Sequence, residues 1–496
     1  MIWLFTVGLC ATLAAPPDDS PADSAERVQK VRTSSASRLR MMMGAHSEGP
    51  PLLRPEVLQA IDARHPKLVA AEAQLSAAEA DYSGSLSYID PTFESKTKAG
   101  VAGYYQYLVS DNRVAWDLGI VEAEVGWRLG RDMGAIGIPD YYGELDTLDN
   151  GELRVGLSVD ILEGLWTDED RTGRRVAGLT RDQAQALVRL ARLDLSRKAV
   201  AVWAKWVSSG RVLNLEEVLL DVATVRQQAV DARISVGDLA AIEQVRNRQF
   251  MAQREAEVAG ARADFDAAVQ ALALHLRVDD GTPRFMKRQH LPDRVDAPEG
   301  APGFSADPVR LAIEGHPLIV VARTRLGIAE ADARLARFGR MPEITLEGQI
   351  SQDVGSQTNP SLQPMDAVVG AGVKLPLGNL KDRAKAASAR SKRDKAMADV
   401  GLLEDQIDME VRAALAREQG ALRAWKASAE QVDLGLQLQE AEQRRFDVGD
   451  IDLLRLWQIE QQTAKAILSE VKAWLTYQVA VADLEYAVGQ PASGSP

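Results

Sequence analysis

The chain has 496 residues, with 58 Lys and Arg against 71 Asp and Glu and a formal net charge of −13. That acidity opposes a polyanionic partner, and no basic patch is interleaved with aromatics, so nucleic acid is not an expected partner. The length would hold two or three ordinary domains, but the two halves read as copies of one plan, which favours a single duplicated architecture. Residues 1–15 are an apolar run ending in small residues, the pattern of a secretory signal peptide cleaved near Ala14 or Ala15. No Lys or Arg precedes the run, so a start further upstream stays open. Cys10, the one cysteine, could take a lipid or leave with the signal; Leu9 before it is too large for lipoprotein processing, which favours removal. No later segment approaches ~18 consecutive apolar residues, so any encounter with a membrane is through strands.

Residues 16–53 are rich in Pro, Ser, Asp and Ala and lack periodicity, the composition of a flexible N-terminal extension. A first structural repeat follows over residues 54–277. Helix begins near Pro55, is interrupted at His65-Pro66 and ends before Pro91. Strands are expected over about 92–162. Val155, Leu157, Val159 and Ile161 alternate with Arg154, Gly156, Ser158 and Asp160, which marks the closing strand. Residues 113–129 also alternate, through Val114, Trp116, Leu118, then Val121, Ala123, Val125, Trp127 and Leu129; a further β-hairpin and a structured loop both fit. Seven of the nine tyrosines fall between Tyr82 and Tyr142, where aromatics suit the girdle of a membrane barrel or the core of a sandwich. A proline-free helical hairpin over about 169–277 carries Ala199, Trp206, Leu213 and Leu220 at coiled-coil spacing, with its tip at 236–238.

Residues 278–307 form a Pro-, Asp- and Gly-rich connector, and residues 308–490 repeat the plan. His316-Pro317 matches His65-Pro66, Glu330-Ala331-Asp332 matches Glu79-Ala80-Asp81, and Pro342 matches Pro91, without a gap. Both histidines precede a proline at a helix start and lack ligand-spaced partners, so they read as structural rather than metal-binding or catalytic. Strands over about 343–377 alternate as Ile344, Leu346, Gly348, Ile350 and as Val369, Ala371, Val373, Leu375. A helical hairpin over about 380–490 turns at 448–450, and 491–496 is a disordered tail. The tips themselves repeat: Arg233-Ile234-Ser235-Val236-Gly237-Asp238 and Arg445-Phe446-Asp447-Val448-Gly449-Asp450. In each, Gly is expected to close one helix in a left-handed cap and Asp to open the next as N-cap. The arms flanking Gly449, about 67 and about 40 residues, would reach ~100 Å and ~60 Å as helix. No nucleophile elbow, phosphate loop, HExxH or metal-ligand cluster occurs, so no enzyme activity, cofactor or metal is expected.

Helix, strand pair, long helix, Gly-containing tip and returning helix, duplicated behind a secretion signal, resemble the TolC-like outer-membrane factor family from about Pro55 to Gln490. The motifs carrying this are His65-Pro66, His316-Pro317, Pro91, Pro342, Val373-Lys374-Leu375-Pro376-Leu377, the two tips and Tyr486-Ala487-Val488-Gly489. The resemblance implies a mainly α fold with a membrane β-barrel part: a homotrimer whose strands share one barrel in the outer membrane of a Gram-negative bacterium, and whose helices form a periplasmic tunnel. Single protomers would leave open strand edges, which hydrocarbon does not tolerate. It further implies the passive exit duct of an efflux pump or type I secretion system, joined through a periplasmic adaptor to an inner-membrane transporter. A soluble periplasmic coiled-coil scaffold or adaptor is the competing reading.

On that resemblance, Arg233, Val236, Gly237, Asp238, Arg445, Val448, Gly449 and Asp450 are expected to meet the adaptor. Some relatives narrow the tunnel with carboxylates one to two turns beyond the tip glycine. Here that distance from Gly449 reaches Arg455 and Gln458, so this ring does not carry over. Asp447, Asp450 and Asp452 cluster nearer the tip and, with Arg455, form the candidate periplasmic gate, expected to prefer cations. The plainer reading makes Asp450 an N-cap and the other two solvated, with Arg455 turned to a neighbouring group such as Glu460.

Overall fold

The computed structural model describes residues 37–39, 50–102, 106–119, 121–132, 147–161, 169–235, 237, 240–278, 280–293, 298, 303–304, 306–339, 341–356, 365–375, 378–448 and 450–491. In chain order it has helices α1 (Arg54–Arg64) and α2 (Pro66–Gly84), strands β1 (Thr92–Gly100), β2 (Tyr107–Asp117), β3 (Val121–Asp132) and β4 (Glu152–Asp160), then α3 (Glu169–Ser235) and α4 (Ala241–Ala273). The second half repeats the plan with α5 (Pro308–Gly315), α6 (Pro317–Phe338), β5 (Glu343–Asp353), β6 (Asp366–Lys374), α7 (Leu380–Asp447) and α8 (Leu453–Val488). The last strand stops at Lys374, before Pro376, because proline cannot donate to a ladder.

The strands form one antiparallel meander in the order β1-β2-β3-β4-β5-β6. The alternation over 113–129 is a further hairpin, β2 and β3, paired from Tyr107↔Asp132 to Asp117↔Glu122. Strands of 9 to 12 residues match the ~9–11 needed to cross a bilayer. The two faces differ in chemistry. One register row, Phe93, Val114, Val125, Val155, Ile350 and Ala367, is apolar from edge to edge. Val155, Leu157 and Ile350 on this face are more than half exposed, an arrangement suited to lipid and not to a packed core. Where this face is polar, in the upper half of β1 and β2, the groups satisfy one another: Ser95 donates to Asn112 at 2.7 Å and Thr97 meets Ser110 at 3.2 Å.

The opposite face is laced by ion pairs. Arg113 bridges Glu94 at 3.0 Å and Glu124 at 3.1 Å, Arg128 pairs with Glu152 at 2.8 Å, and Arg154 reaches across β3 to Asp111. Gly126 lies in register between Arg113 and Arg154, leaving that crossing uncovered by a side chain. Gly156 serves Glu124 likewise; a Cβ there would lie 2.8 Å from the glutamate Cγ.

The helical residues pack in two compact units, each drawing on both repeats. One, containing residues 198–301 and 417–482, is built on tryptophan. Trp203 meets Trp474 edge-on at 5.7 Å, Trp425 lies 5.2 Å from Tyr477, and Trp203 donates to the Leu52 carbonyl at 3.0 Å. These side chains are buried, as the heptad spacing predicts for a helical core. Met286 and Leu291 of the connector are buried here too; Gly210 gives Leu291 room, since a Cβ would lie 2.5 Å from its Cδ1. The same interior encloses the Glu418 carboxyl, which burial pushes above its ordinary pKa, and the Tyr477 hydroxyl, pushed up to about 12 chiefly by burial.

The other unit holds the sheet and the core of Ala312, Ile319, Ile407, Val411, Leu484 and Ala487. Here both histidines prove structural. His65 Nδ1 accepts from the Lys67 amide and His316 Nδ1 from the Leu318 amide, each at 3.2 Å, so each ring N-caps the helix its proline begins. With Nδ1 accepting, His316 Nε2 carries the proton and donates to the Tyr486 carbonyl at 3.0 Å. Gly489, at φ +82°, lets the chain close on this ring; a Cβ would lie 3.0 Å from His316 Cδ2. The His-Pro start of the second repeat and the Tyr-Ala-Val-Gly end of the chain are thus one structural lock.

Candidate functional site: the hairpin tips

The first tip follows from backbone chemistry. Gly237 has φ +77°, a region that L side chains rarely adopt, and its amide returns to the Ile234 carbonyl at 3.0 Å. A Cβ there would meet nothing within 4 Å, so the glycine is required by the backbone and not by crowding. The returning helix does not begin at Asp238: its N-cap is Ala240, which offers no side-chain bond, and α4 starts at Ala241. Val236, Asp238 and the side chain of Arg233 lie outside the described residues.

At the second tip α7 ends with Asp447, and the Asp450 amide reaches back to the Arg445 carbonyl at 2.9 Å, the wide bond that closes many helix C-termini. Val448 is 81% exposed. Gly449 and the side chain of Asp447 lie outside the described residues. The expected N-cap is displaced by two residues. Asp452 accepts the Arg455 amide at 2.8 Å, whereas Asp450 pairs with Arg445 at 2.7 Å. The reason is geometric: the chain needs two residues beyond Asp450 before helical backbone resumes at Leu453. Arg445 also touches Glu442 at 3.1 Å, and the bond from Asp450, with these carboxylates around it, holds the guanidinium pKa above its ordinary value. Arg455 is exposed, and Glu460 pairs with Arg226 of α3 instead.

Behind the tips the helices are tied by polar groups, the innermost of them buried. Asn247, 5% exposed, donates to Gln227 at 2.7 Å; Gln227 and Gln244 both donate to Asp231, at 2.7 and 2.8 Å. Phe250 meets Trp457 edge-on at 5.2 Å, and Arg254 bonds Glu216 at 2.8 Å and Glu257 at 2.6 Å. Heptad spacing does not reveal the ties from Asn247 to Gln227, Gln244 to Asp231, Phe250 to Trp457 and Arg254 to Glu216, because their partners lie on different helices. Ile242 and Val245, 57% and 61% exposed on the first turn of α4, add apolar surface that a seam pattern would have assigned to the core. The described residues hold no group of three or more His, Cys, Asp and Glu able to bind a metal, and no helix is long and apolar enough to cross a membrane.

Residues 309–490 match the family model of the outer membrane efflux protein. Among curated proteins, the cobalt-zinc-cadmium resistance protein CzcC of Cupriavidus metallidurans is 24% identical over 217 residues, 44% of this chain; the match spans 49% of that relative's length. Among solved structures, a membrane protein from Pseudomonas aeruginosa superposes with a TM-score of 0.63 at 18% identity, over 90% of this chain and 94% of that one. The Campylobacter jejuni CmeC outer membrane channel gives 0.60 at 16%, over 89% and 87%. The open state of the Neisseria gonorrhoeae MtrE outer membrane channel gives 0.59 at 16%, over 88% and 89%.

Proposed function

We propose that this chain, which shares its fold with the CmeC outer membrane channel over 89% of its length and matches the outer membrane efflux protein model at residues 309–490, is the outer-membrane exit duct of a tripartite efflux pump or type I secretion system. The observation that carries the reading is the sheet: an apolar outer face, a charged inner face, and edges β1 and β6 without a strand neighbour among the described residues. Such a sheet is unstable in hydrocarbon until its edges are paired, and neighbouring copies of the same chain supply the complementary edges. Three copies would close the barrel in the outer membrane, with the helices in the periplasm. The duct is passive, and an adaptor at the tips would link it to an inner-membrane transporter. Mass measurement in detergent should give three copies per particle. A stable monomer that still inserts in lipid would overturn the architecture, and release by osmotic shock without detergent would favour the periplasmic scaffold. The Cupriavidus relative is named for cobalt, zinc and cadmium; the absence of a metal grouping among the described residues gives no reason to assign that cargo here.

At the mouth, the proposed gate draws on Asp447, Asp452 and, less strongly, Asp450, whose charge Arg445 offsets. Repetition of these acids in a narrow ring favours cations, opposed by Arg455. Asn caps a helix about as well as Asp, so Asp447→Asn with Asp452→Asn removes charge without removing the cap. Reversal potentials under a salt gradient should show reduced cation preference in this variant. An anion-selective or unchanged channel would assign control of the mouth to Arg455 or to neither.

A further inference from the structure

The duplicated plan calls for two strands per repeat, four per chain, yet the first repeat supplies four and the second two. The surplus is the β2–β3 hairpin, and its position decides whether it is wall or ornament. It lies in the middle of the ladder: β1 bonds β2, β3 bonds β4, and β1 and β4 have no direct pairing. Its residues keep the sidedness of the wall. On the apolar face Val114 and Val125 continue the row from Phe93 to Val155, with Trp116 and Ala123 in the next row. On the charged face Arg113 ties β2 to both β1 and β3, and Arg154 of β4 reaches over β3 to Asp111 of β2. A loop folded outside the wall would have no reason to hold either pattern.

On the premise of a trimeric duct, we infer that the hairpin is part of the barrel wall, so that three copies close eighteen strands instead of the twelve the duplicated plan provides, and the exit is correspondingly wide. At ~4.8 Å between strands and ~40° tilt, eighteen strands give a backbone diameter of about 36 Å and twelve give about 24 Å. The outer barrel is then built for bulkier solutes than a four-strand protomer would admit, and selection by size falls to the helical end of the duct.

The hairpin enters and leaves at the same end of the sheet, so it can be removed without changing strand direction. Deleting residues 103–148 joins β1 to β4 through a short loop that keeps Asn150 and Gly151, where Gly151 already has φ +86°. Glu94 and Arg154 stand in one register row, so the new neighbours place opposite charges side by side. The intact protein and the deletion variant, reconstituted in lipid, would be compared by exclusion of polyethylene glycols added on the strand side. The intact barrel should admit polymers at least about 1.5-fold larger in diameter, because side chains of similar length line both lumens. Equal cut-offs would place the hairpin outside the wall and overturn the inference. Should the variant fail to insert, spin labels at Ser158→Cys in the intact trimer give the answer: about 31 Å between copies for eighteen strands, about 21 Å for twelve. Distances near the smaller value overturn the wide barrel while leaving the duct standing; absence of a trimer overturns the duct itself.

Discussion

Arg254→Met is expected to destabilise the helical unit by about 3–5 kcal/mol, the cost of leaving one member of a buried ion pair without its partner. Arg254 and Glu216 are 4% and 6% exposed at the side chain and 2.8 Å apart, and the guanidinium also lies 5.0 Å over the Phe250 ring. Burial, partly countered by Arg254, already raises the Glu216 pKa. Removing the arginine takes away the opposing attraction and raises it further. The sign of the pH dependence follows: an acid with a higher pKa folded than unfolded binds more protons when folded, so stability is greatest at low pH and declines as pH rises through the raised pKa. Denaturation midpoints of the solubilised variant should therefore lie nearest wild type at low pH and fall away as pH rises. Arg254→Met with Glu216→Leu should recover most of the loss, because an apolar pair of similar volume leaves no stranded charge. A single variant as stable as wild type at pH 8 would mean that Glu216 has access to water in solution.

Features carried by local backbone chemistry could be read directly from sequence. A histidine before a proline predicts a capped helix start, and both positions are such caps. A glycine within a repeated tip predicts a left-handed turn, and Gly237 has one. Alternation marked β4, β5 and β6. Features that depend on neighbours were not legible. Period-two alternation at 113–129 is equally compatible with a hairpin and a loop, and only the ladder, with Arg154 reaching over β3, distinguishes them. At the second tip the N-cap slipped from Asp450 to Asp452 because Asp is a good cap at several adjacent positions, and the closing bonds of the previous helix decide which one is used. Glu460 pairs with Arg226, 234 residues away, although Arg455 is its near neighbour in sequence. Heptads indicate which face of a helix is buried, but not which helix lies opposite. For the same reason the two repeats visible in sequence are not the packing units, each of which is assembled from both.

If the chain is the proposed trimeric duct with adaptor-binding tips, Gly237→Val is expected to abolish export while leaving the trimer and its insertion intact. The substitution places a β-branched residue at φ +77°, where the side chain competes with its own carbonyl at a cost of about 1–2 kcal/mol. Nothing lies within 4 Å of the new Cβ, so the strain has no clash to relieve and is released by moving the backbone of the tip. A change of that size at an exposed turn is small against the stability of the helices behind it. At the proposed docking surface, by contrast, a displaced tip would misplace its contacts together, along with the exposed apolar Ile242 and Val245 just beyond it. Gly237→Asn separates the causes, because asparagine tolerates the left-handed region while still adding a side chain. Export and adaptor cross-linking should survive in the asparagine variant and fail in the valine one. Failure of both would make side-chain volume at the docking surface the determinant, and normal cross-linking in both would reduce the tip to an ordinary turn between helices.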